Sequence, residues 1–368
     1  MFQTRLAYLS TSIRTANLDA LALNPGPSLV YLTKLHFHLM ERPTLAFFTA
    51  DSTPVLVLPE LEMLKVKDLP FEIKTFPYGE NPAEWDKVFL EAGRSLGLEG
   101  KRIGVEPLHM RILEFCKVKV IAGGTECPDA TQVVGSLRVH KEVEEIAAIR
   151  KAVKVAQEAL EAIIPFIKVG VTEKEIAAEL VLHLLRLGSQ SDMPFAPIVS
   201  SGPNSANPHA VPSDRKLHNG DLLVVDWGAA VDGYISDLTR TFAVGKVDEE
   251  YHKIHQTVLE ANAAGRAAAQ PGVPCANVDI AARTVIEKAG YGQYFTHRTG
   301  HGIGLEPHED PYMRSGNMKL LEPGMTFTVE PGIYLPGRNG VRIEDNIVIT
   351  DKGAECLSDM PRKLRVVE

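Results

Sequence analysis

The chain has 368 residues, 45% hydrophobic and 23% charged, which is long enough to bury the cores of two domains. A formal net charge of −8 disfavours general nucleic-acid binding, and no apolar run approaches the roughly 18 residues needed to span a bilayer. The four cysteines, Cys116, Cys127, Cys275 and Cys356, lie far apart with no C-x-x-C pair, so a reduced, cytoplasmic protein is expected and a cysteine–zinc site is not.

The N-terminal stretch MFQTRLAYLSTSIRTANLDALAL has periodic apolar positions broken by polar ones, which predicts a helix and not a signal peptide. Asn24-Pro25-Gly26-Pro27 is a breaker. SLVYLT, TLAFFT and PVLVLP after it are expected to be short strands. Trp85 to Leu96 fits a helix, KRIGVE a strand and VKVIA another, so residues 1–130 are predicted to form an α/β domain with helices layered on a sheet. This half carries no clustered catalytic signature. His36 and His38 share one face if their segment is extended, a common surface pattern, with a subunit contact as the other reading.

A second domain, 131–368, is expected after a boundary near Pro128 to Leu137. Lys141 to Ile164 reads as a long amphipathic helix, apolar at Val143, Ile146, Ile149, Ala152, Val153 and Ala156. Thr172 followed by Glu175 is a capping box for a helix that runs to about Leu187. PFAPIVSSGPNSANPHAVPS then combines a short strand with a loop ending near His209. Further on, Asp248 to Ala269 and Val278 to Ala289 are two more helices, split by Pro271-Gly272-Val273-Pro274. The order helix, helix, strands thus occurs twice, as in a fold of two similar halves.

The first set of strands lies in Asp221 to Phe242, DLLVVDWGAAVDGYISDLTRTF. Leu222 to Val225 is expected to be a buried strand, and Asp232-Gly233 a two-residue hairpin turn, because Gly tolerates the positive φ required there. With that turn, Val231 pairs with Tyr234, Gly228 with Asp237 and Asp226 with Thr239. Asp226 and Asp237 become diagonal neighbours on one face, roughly 7–8 Å apart at the backbone, and Gly228 is expected to leave empty space beside Asp237. Two like charges on an apolar hairpin repel and are costly to desolvate, and a divalent cation between them is the simplest remedy. Aspartates at strand ends are also common turn formers, so the pair counts as a metal site only with further ligands.

Those ligands lie downstream. THRTGHGIGLEPHEDP holds His297, His301 and His308, with glycines that let backbone and ligand approach closely. Its glycines resemble a phosphate loop only superficially, since Pro307 stops the helix a dinucleotide site requires. MTFTVEPGIY is read as a strand ending at Glu330, and GVRIEDNIVIT as a strand carrying Glu344. Pro336 to Gly340 can turn the two into a hairpin with Arg342 and Glu344 on one face. Each Glu alone is more commonly a solvated strand residue. Together with Asp226, Asp237 and His301 they make a candidate two-metal site.

The ordering and contexts of Asp226, Asp237, His301, Glu330 and Glu344 resemble the five metal ligands of the pita-bread (M24) metallopeptidases. HRTGHGIGLEPHE and VEPGIY resemble the proline-peptidase branch, the Xaa-Pro dipeptidases (prolidases) and Xaa-Pro aminopeptidases. The resemblance covers essentially the whole chain. It implies an α/β (α+β) architecture, with a creatinase-like N-terminal domain and a pita-bread catalytic domain. One departure is Pro307, where the family usually has a branched aliphatic residue; it removes no ligand.

By resemblance, Asp237 and Glu344 bridge two divalent ions, Asp226 completes one, and His301 with Glu330 completes the other. Oxygen-rich ligation with one imidazole suits Mn²⁺ first, with Co²⁺ or Zn²⁺ as alternatives. Glu330 is then the expected proton carrier, and His209 and His308 hold substrate and developing oxyanion. His297, Arg342 and Tyr312 are the expected substrate-binding residues. Tyr312 stands where many prolidases carry an Arg that grips the substrate carboxylate, which leaves Arg314, Arg342 and Arg338 as other candidates. The expected substrate is a small peptide with proline second, and a homodimer is expected from the family. Compact length favours a dipeptidase, whereas Tyr312 favours an aminopeptidase acting on longer peptides. Methionine aminopeptidases share the five ligands but typically lack the large N-terminal domain. Metal-free relatives of the same fold lose ligands that all stand here.

Overall fold

In the computed structural model, which describes residues 2–67 and 69–368, α1 (Phe2–Thr15) buries Arg5, Leu9 and Ile13 along one stripe, as four-residue spacing on a helix requires. β1 (Ala20–Leu23) follows and is buried at every position. Next come α2 (Pro27–Thr33), β2 (Leu45–Thr49), β3 (Val55–Pro59), β4 (Lys74–Tyr78) and α3 (Pro82–Ser95). β5 (Ile103–Gly104), α4 (Ile112–Ile121) and α5 (Thr131–Arg138) complete this first unit, which ends at Arg138. Its five strands are ordered β4-β3-β2-β1-β5, antiparallel in the middle and parallel at both outer pairs. Phe47, Val57, Phe89 and Val118 pack together in its core.

Two expected strands are helices. SLVYLT lies in α2, where Pro27 occupies the first turn and Leu29, Tyr31 and Leu32 are all buried. A short continuous apolar run looks alike as a buried strand or a buried helix, and Pro at the start favours the helix. VKVIA lies at the end of α4, which buries Glu114, Val118 and Ile121, a three-to-four-residue spacing that the local Val-Lys-Val alternation obscured. His36 and His38 are exposed in a segment without regular structure.

The second unit, Val139–Glu368, starts after α5, which the sequence assigns to the second domain. It opens with α6 (Val143–Ile163) and α7 (Glu173–Arg186), the latter with the expected capping box: Glu175 N–H donates to Thr172 Oγ1, and Thr172 N–H donates to Glu175. β6 (Ile198–Ser201), β7 (Leu222–Trp227), β8 (Ala230–Val231), β9 (Tyr234–Ile235) and β10 (Leu238–Val244) follow. The helix pair then recurs as α8 (Glu249–Ala268) and α9 (Cys275–Lys288). After it come β11 (Gly300–Gly302), β12 (Glu309–Met313), β13 (Thr326–Val329), β14 (Gly332–Tyr334), β15 (Gly340–Arg342), β16 (Asp345–Thr350), β17 (Gly353–Cys356) and β18 (Arg365–Val367). The strands form a sheet β18-β10-β7-β6, a sheet β12-β11-β13-β16-β17, and two ribbons.

α6 and α7 pack on the first sheet, with Ile149, Leu160, Ile176 and Leu180 against Val199, Val225 and Trp227, and the Trp227 indole donates to the Ala156 carbonyl at 2.8 Å. The two sheets are joined by one isolated bridge, Thr239 to Glu344, where Glu344 N–H donates to the Thr239 carbonyl at 3.1 Å. That bridge brings the Asp226–Asp237 hairpin beside Glu344. Among the described residues, no helix is long and apolar enough to cross a membrane.

Candidate metal centre

The hairpin adopts the expected register. Asp226 pairs with Thr239 across β7 and β10, and Val231 pairs with Tyr234 around a turn whose residues Asp232 and Gly233 have φ of 54° and 82°. Gly228, however, leaves no space. A Cβ there would lie 2.0 Å from the Ser236 carbonyl oxygen, so glycine is required by close backbone approach and not by room for a ligand.

Both glutamates stand at breaks between strands. β13 ends at Val329, and Pro331, which has no N–H, separates it from β14, leaving Glu330 at the corner. The GVRIEDNIVIT segment divides into β15 and β16 with Glu344 between them, while the expected hairpin forms as β14–β15 with Tyr334 opposite Gly340. The breaks turn both carboxylates into one cavity of about 600 Å³, also lined by Asp226, Asp237, His301, His209, His297, His308 and Arg342. Tyr312 does not line it.

His301 Nε2 lies 3.2 Å from Glu330 Oε1 and 3.7 Å from Asp237 Oδ2. The donor atoms of Asp237, His301 and Glu344 all fall within 4.8 Å of one another. Glu344 accepts from Thr239 Oγ1 at 2.7 Å through one oxygen, and Asp226 accepts from Arg342 at 2.5 Å through one oxygen. The other oxygens, Glu344 Oε1 and Asp226 Oδ1, are buried and have no hydrogen-bond partner among the described residues. Unmatched buried carboxylate oxygens are expensive and call for a cation.

The electrostatics agree. Burial raises Asp226, Asp237 and Glu344, and repulsion from neighbouring carboxylates adds to it, so that Asp237 and Glu344 lie well above the usual range. Glu330 departs from this pattern: burial raises it too, but its hydrogen bond to His301 and the charges of His301, His297 and Arg342 bring it down to about 2. Four clustered carboxylates with two orphaned oxygens and one imidazole fit hard divalent ions, which reverse such penalties.

The histidines differ in their commitments. His297 Nδ1 faces the Arg298 carbonyl at 2.7 Å and Nε2 faces the Tyr334 hydroxyl at 2.8 Å, so both ring nitrogens are engaged. Arg342 donates to the same hydroxyl at 2.8 Å, which ties the ring to the Asp226 partner. The His308 ring meets His301 edge-on, centroids 4.1 Å apart, and burial with the charges of His301 and Arg298 lowers it to about 4. His209 is exposed on the cavity wall. Pro307 sits in the bend before His308 and lines the cavity without displacing any of the five residues.

Several supporting residues escaped the sequence reading. Asn346 Oδ1 accepts from Asp237 N–H at 3.1 Å, and its amide donates back to the Asp237 carbonyl. Asp279, on α9, accepts from Thr299 N–H and hydroxyl at 3.1 and 2.8 Å, just ahead of His301. Asn262, fully buried on α8, donates to the carbonyls of Val329 and Ile343 at 2.9 and 3.3 Å, the residues immediately before Glu330 and Glu344. Only Thr239 had a local signal, since it faces Asp226 in the hairpin register.

Asn262→Ala is expected to lose about 1–3 kcal/mol of stability, because two buried carbonyls lose a donor. It should also weaken metal retention, a combination that paired thermal melts and metal titrations check. Unchanged values in both would show that the α8 contact does not support the glutamates.

The chain belongs to metallopeptidase family M24: residues 147–351 match that family, and residues 5–140 match the creatinase/prolidase N-terminal domain. It is therefore an enzyme of the metallopeptidase class, with the creatinase-like and pita-bread domains that the motifs imply, and the family implies divalent metal ions. Among its relatives is the probable dipeptidase PepE of Mycobacterium tuberculosis, 37% identical over 374 residues that cover 100% of this chain and 97% of that protein. A prolidase from Thermococcus sibiricus superposes with a TM-score of 0.94 at 33% identity, covering 100% of this chain and 99% of that one. An X-Pro aminopeptidase from Thermotoga maritima gives 0.82 at 31% identity, with 97% and 100% covered. The chain is thus of the dipeptidase/prolidase type within the family.

Proposed function

We propose that the chain hydrolyses the Xaa-Pro bond of dipeptides at a dinuclear centre held by Asp226, Asp237, His301, Glu330 and Glu344. The observation that carries this reading is the pair of orphaned, buried oxygens, Asp226 Oδ1 and Glu344 Oε1, beside His301 and Asp237 in one cavity. When bound, two divalent ions supply Lewis acidity and make a water nucleophile available near neutral pH. Mn²⁺ is the proposed ion, with Co²⁺ or Zn²⁺ the alternatives for this donor set.

The chain's own residues do the rest. Glu330, hydrogen-bonded to His301 and ionised, accepts the proton of the nucleophile and returns it to the leaving proline nitrogen. That nitrogen needs a proton to leave, as any amide nitrogen does, and the proton makes the departing proline a neutral amine and not an amide anion. His209 and His308, on the cavity wall, hold the substrate carbonyl and the charge that develops on its oxygen. Arg342 fixes Asp226 and Tyr334, and is a positioning residue in this scheme. Four free cysteines fit a reducing cytoplasm, and a homodimer is proposed from the family resemblance.

The second reading, an aminopeptidase acting on longer X-Pro peptides, is favoured by Tyr312 and by the likeness to the Thermotoga enzyme. kcat/KM values on an X-Pro dipeptide and its tetrapeptide extension decide between them. The dipeptide is expected to be the faster. A clear preference for the tetrapeptide would move the enzyme to the aminopeptidase class without disturbing the metal reading.

A further inference from the structure

We propose that Arg298 and Arg314 together form the receptor for the free carboxylate of the dipeptide, an assignment that rests on the dipeptidase reading above. Both side chains line the cavity that holds the five candidate ligands. Neither is joined to a carboxylate by an ion pair among the described residues. Arg298 holds its guanidinium 4.5 Å above the Tyr312 ring, and Arg314, exposed, donates to the Ser315 carbonyl at 3.3 Å.

The other candidate arginines are committed elsewhere. Arg342 gives Nη2 to Asp226 at 2.5 Å, Nη1 to Tyr334 at 2.8 Å and Nε to Thr239 at 3.1 Å. Arg338 pairs with Glu250 at 2.5 Å and does not line the cavity. Two guanidiniums without carboxylate partners therefore remain on the wall of a site whose other charged side chains are chiefly acidic.

An X-Pro dipeptide carries an ammonium and a carboxylate. A guanidinium repels the first and grips the second through paired N–H donors that match its two oxygens. In a longer peptide the group after proline is a neutral amide, which gains much less from that fork. The cation–π contact with Tyr312 restrains Arg298, so less freedom is lost when the carboxylate arrives. Tyr312 is thus a positioning residue: it does not line the cavity itself but carries on its face the Arg298 guanidinium that does.

The test uses the metal-loaded full chain with Ala-Pro, its neutral analogue Ala-Pro-amide and the tetrapeptide Ala-Pro-Ala-Ala. Wild type, Arg298→Gln, Arg314→Gln and the double variant are compared. Arg298→Gln should lower kcat/KM for Ala-Pro roughly 10- to 100-fold, chiefly through KM, as expected for loss of a charge-assisted hydrogen bond. The double variant should lose more on Ala-Pro and much less on the amide, so the preference for the free acid collapses. Calorimetric binding of proline against prolinamide should show the same contrast without turnover. Tyr312→Phe should keep the selectivity and Tyr312→Leu should weaken it. An unchanged acid-to-amide ratio in the double variant, with wild type still hydrolysing Ala-Pro, overturns the receptor and leaves the dipeptidase reading standing. A wild type that prefers the tetrapeptide or the amide over Ala-Pro overturns both.

Discussion

Asp237→Ala and Glu344→Ala are each expected to lose bound metal and X–Pro hydrolysis together. Asp237 and Glu344 present donor atoms that converge with His301, and Glu344 also carries an orphaned buried oxygen. Removing either leaves an incomplete donor set, and the loss should exceed the roughly 10–100-fold typical of partners that only orient ligands. The fold should survive, because burial and neighbouring carboxylates already hold both groups well above the usual carboxylate range, and deleting one relieves repulsion. Added Mn²⁺ should therefore raise the melting temperature of wild type and leave that of the variants unchanged, since a ligand stabilises only the state that binds it. Metal per chain and hydrolysis are measured on one preparation. Near wild-type activity in either variant would sink the ligand assignment.

His308→Ala and His209→Ala are expected to cut turnover by about 10²–10³-fold, the usual effect of losing one donor to a developing oxyanion, with metal content kept. His308 lines the cavity and lies edge-on to His301, with ring centroids 4.1 Å apart. With its pKa lowered to about 4, it stays neutral at and above neutral pH and gains charge only as pH falls toward that value. The ratio of wild-type to His308→Ala turnover should hence be flat from about pH 8 to pH 6. If either variant instead loses its metal, that histidine is a ligand and the set of five is wrong.

What could be read from the residues was local. The Asp232-Gly233 turn sets the pairing of its own strands, so the meeting of Asp226 with Thr239 followed by counting. The Thr172 cap, the long helix α6 and the repeated helix pair were legible for the same reason, since caps and apolar periods are written within a few residues. SLVYLT and VKVIA misled because a short apolar run does not state its period, and the tertiary packing of α2 and α4 decided it.

The sequence by itself determined the residue types of the candidate centre, their order, and the family to which they point. The tertiary structure decided their condition. Glu344 meets Thr239 across 105 positions of chain, and Asn262 reaches the residues before both glutamates across 67 and 81. Which carboxylate oxygens stay unmatched, and which arginines stay free, depends on such remote partners. Arg342 and Arg298 look alike in sequence, but the fold ties one to Asp226 and leaves the other on a tyrosine ring at the cavity wall. Local propensity acts over a turn or two of chain, whereas charge pairing and desolvation are set by whatever segments folding brings together.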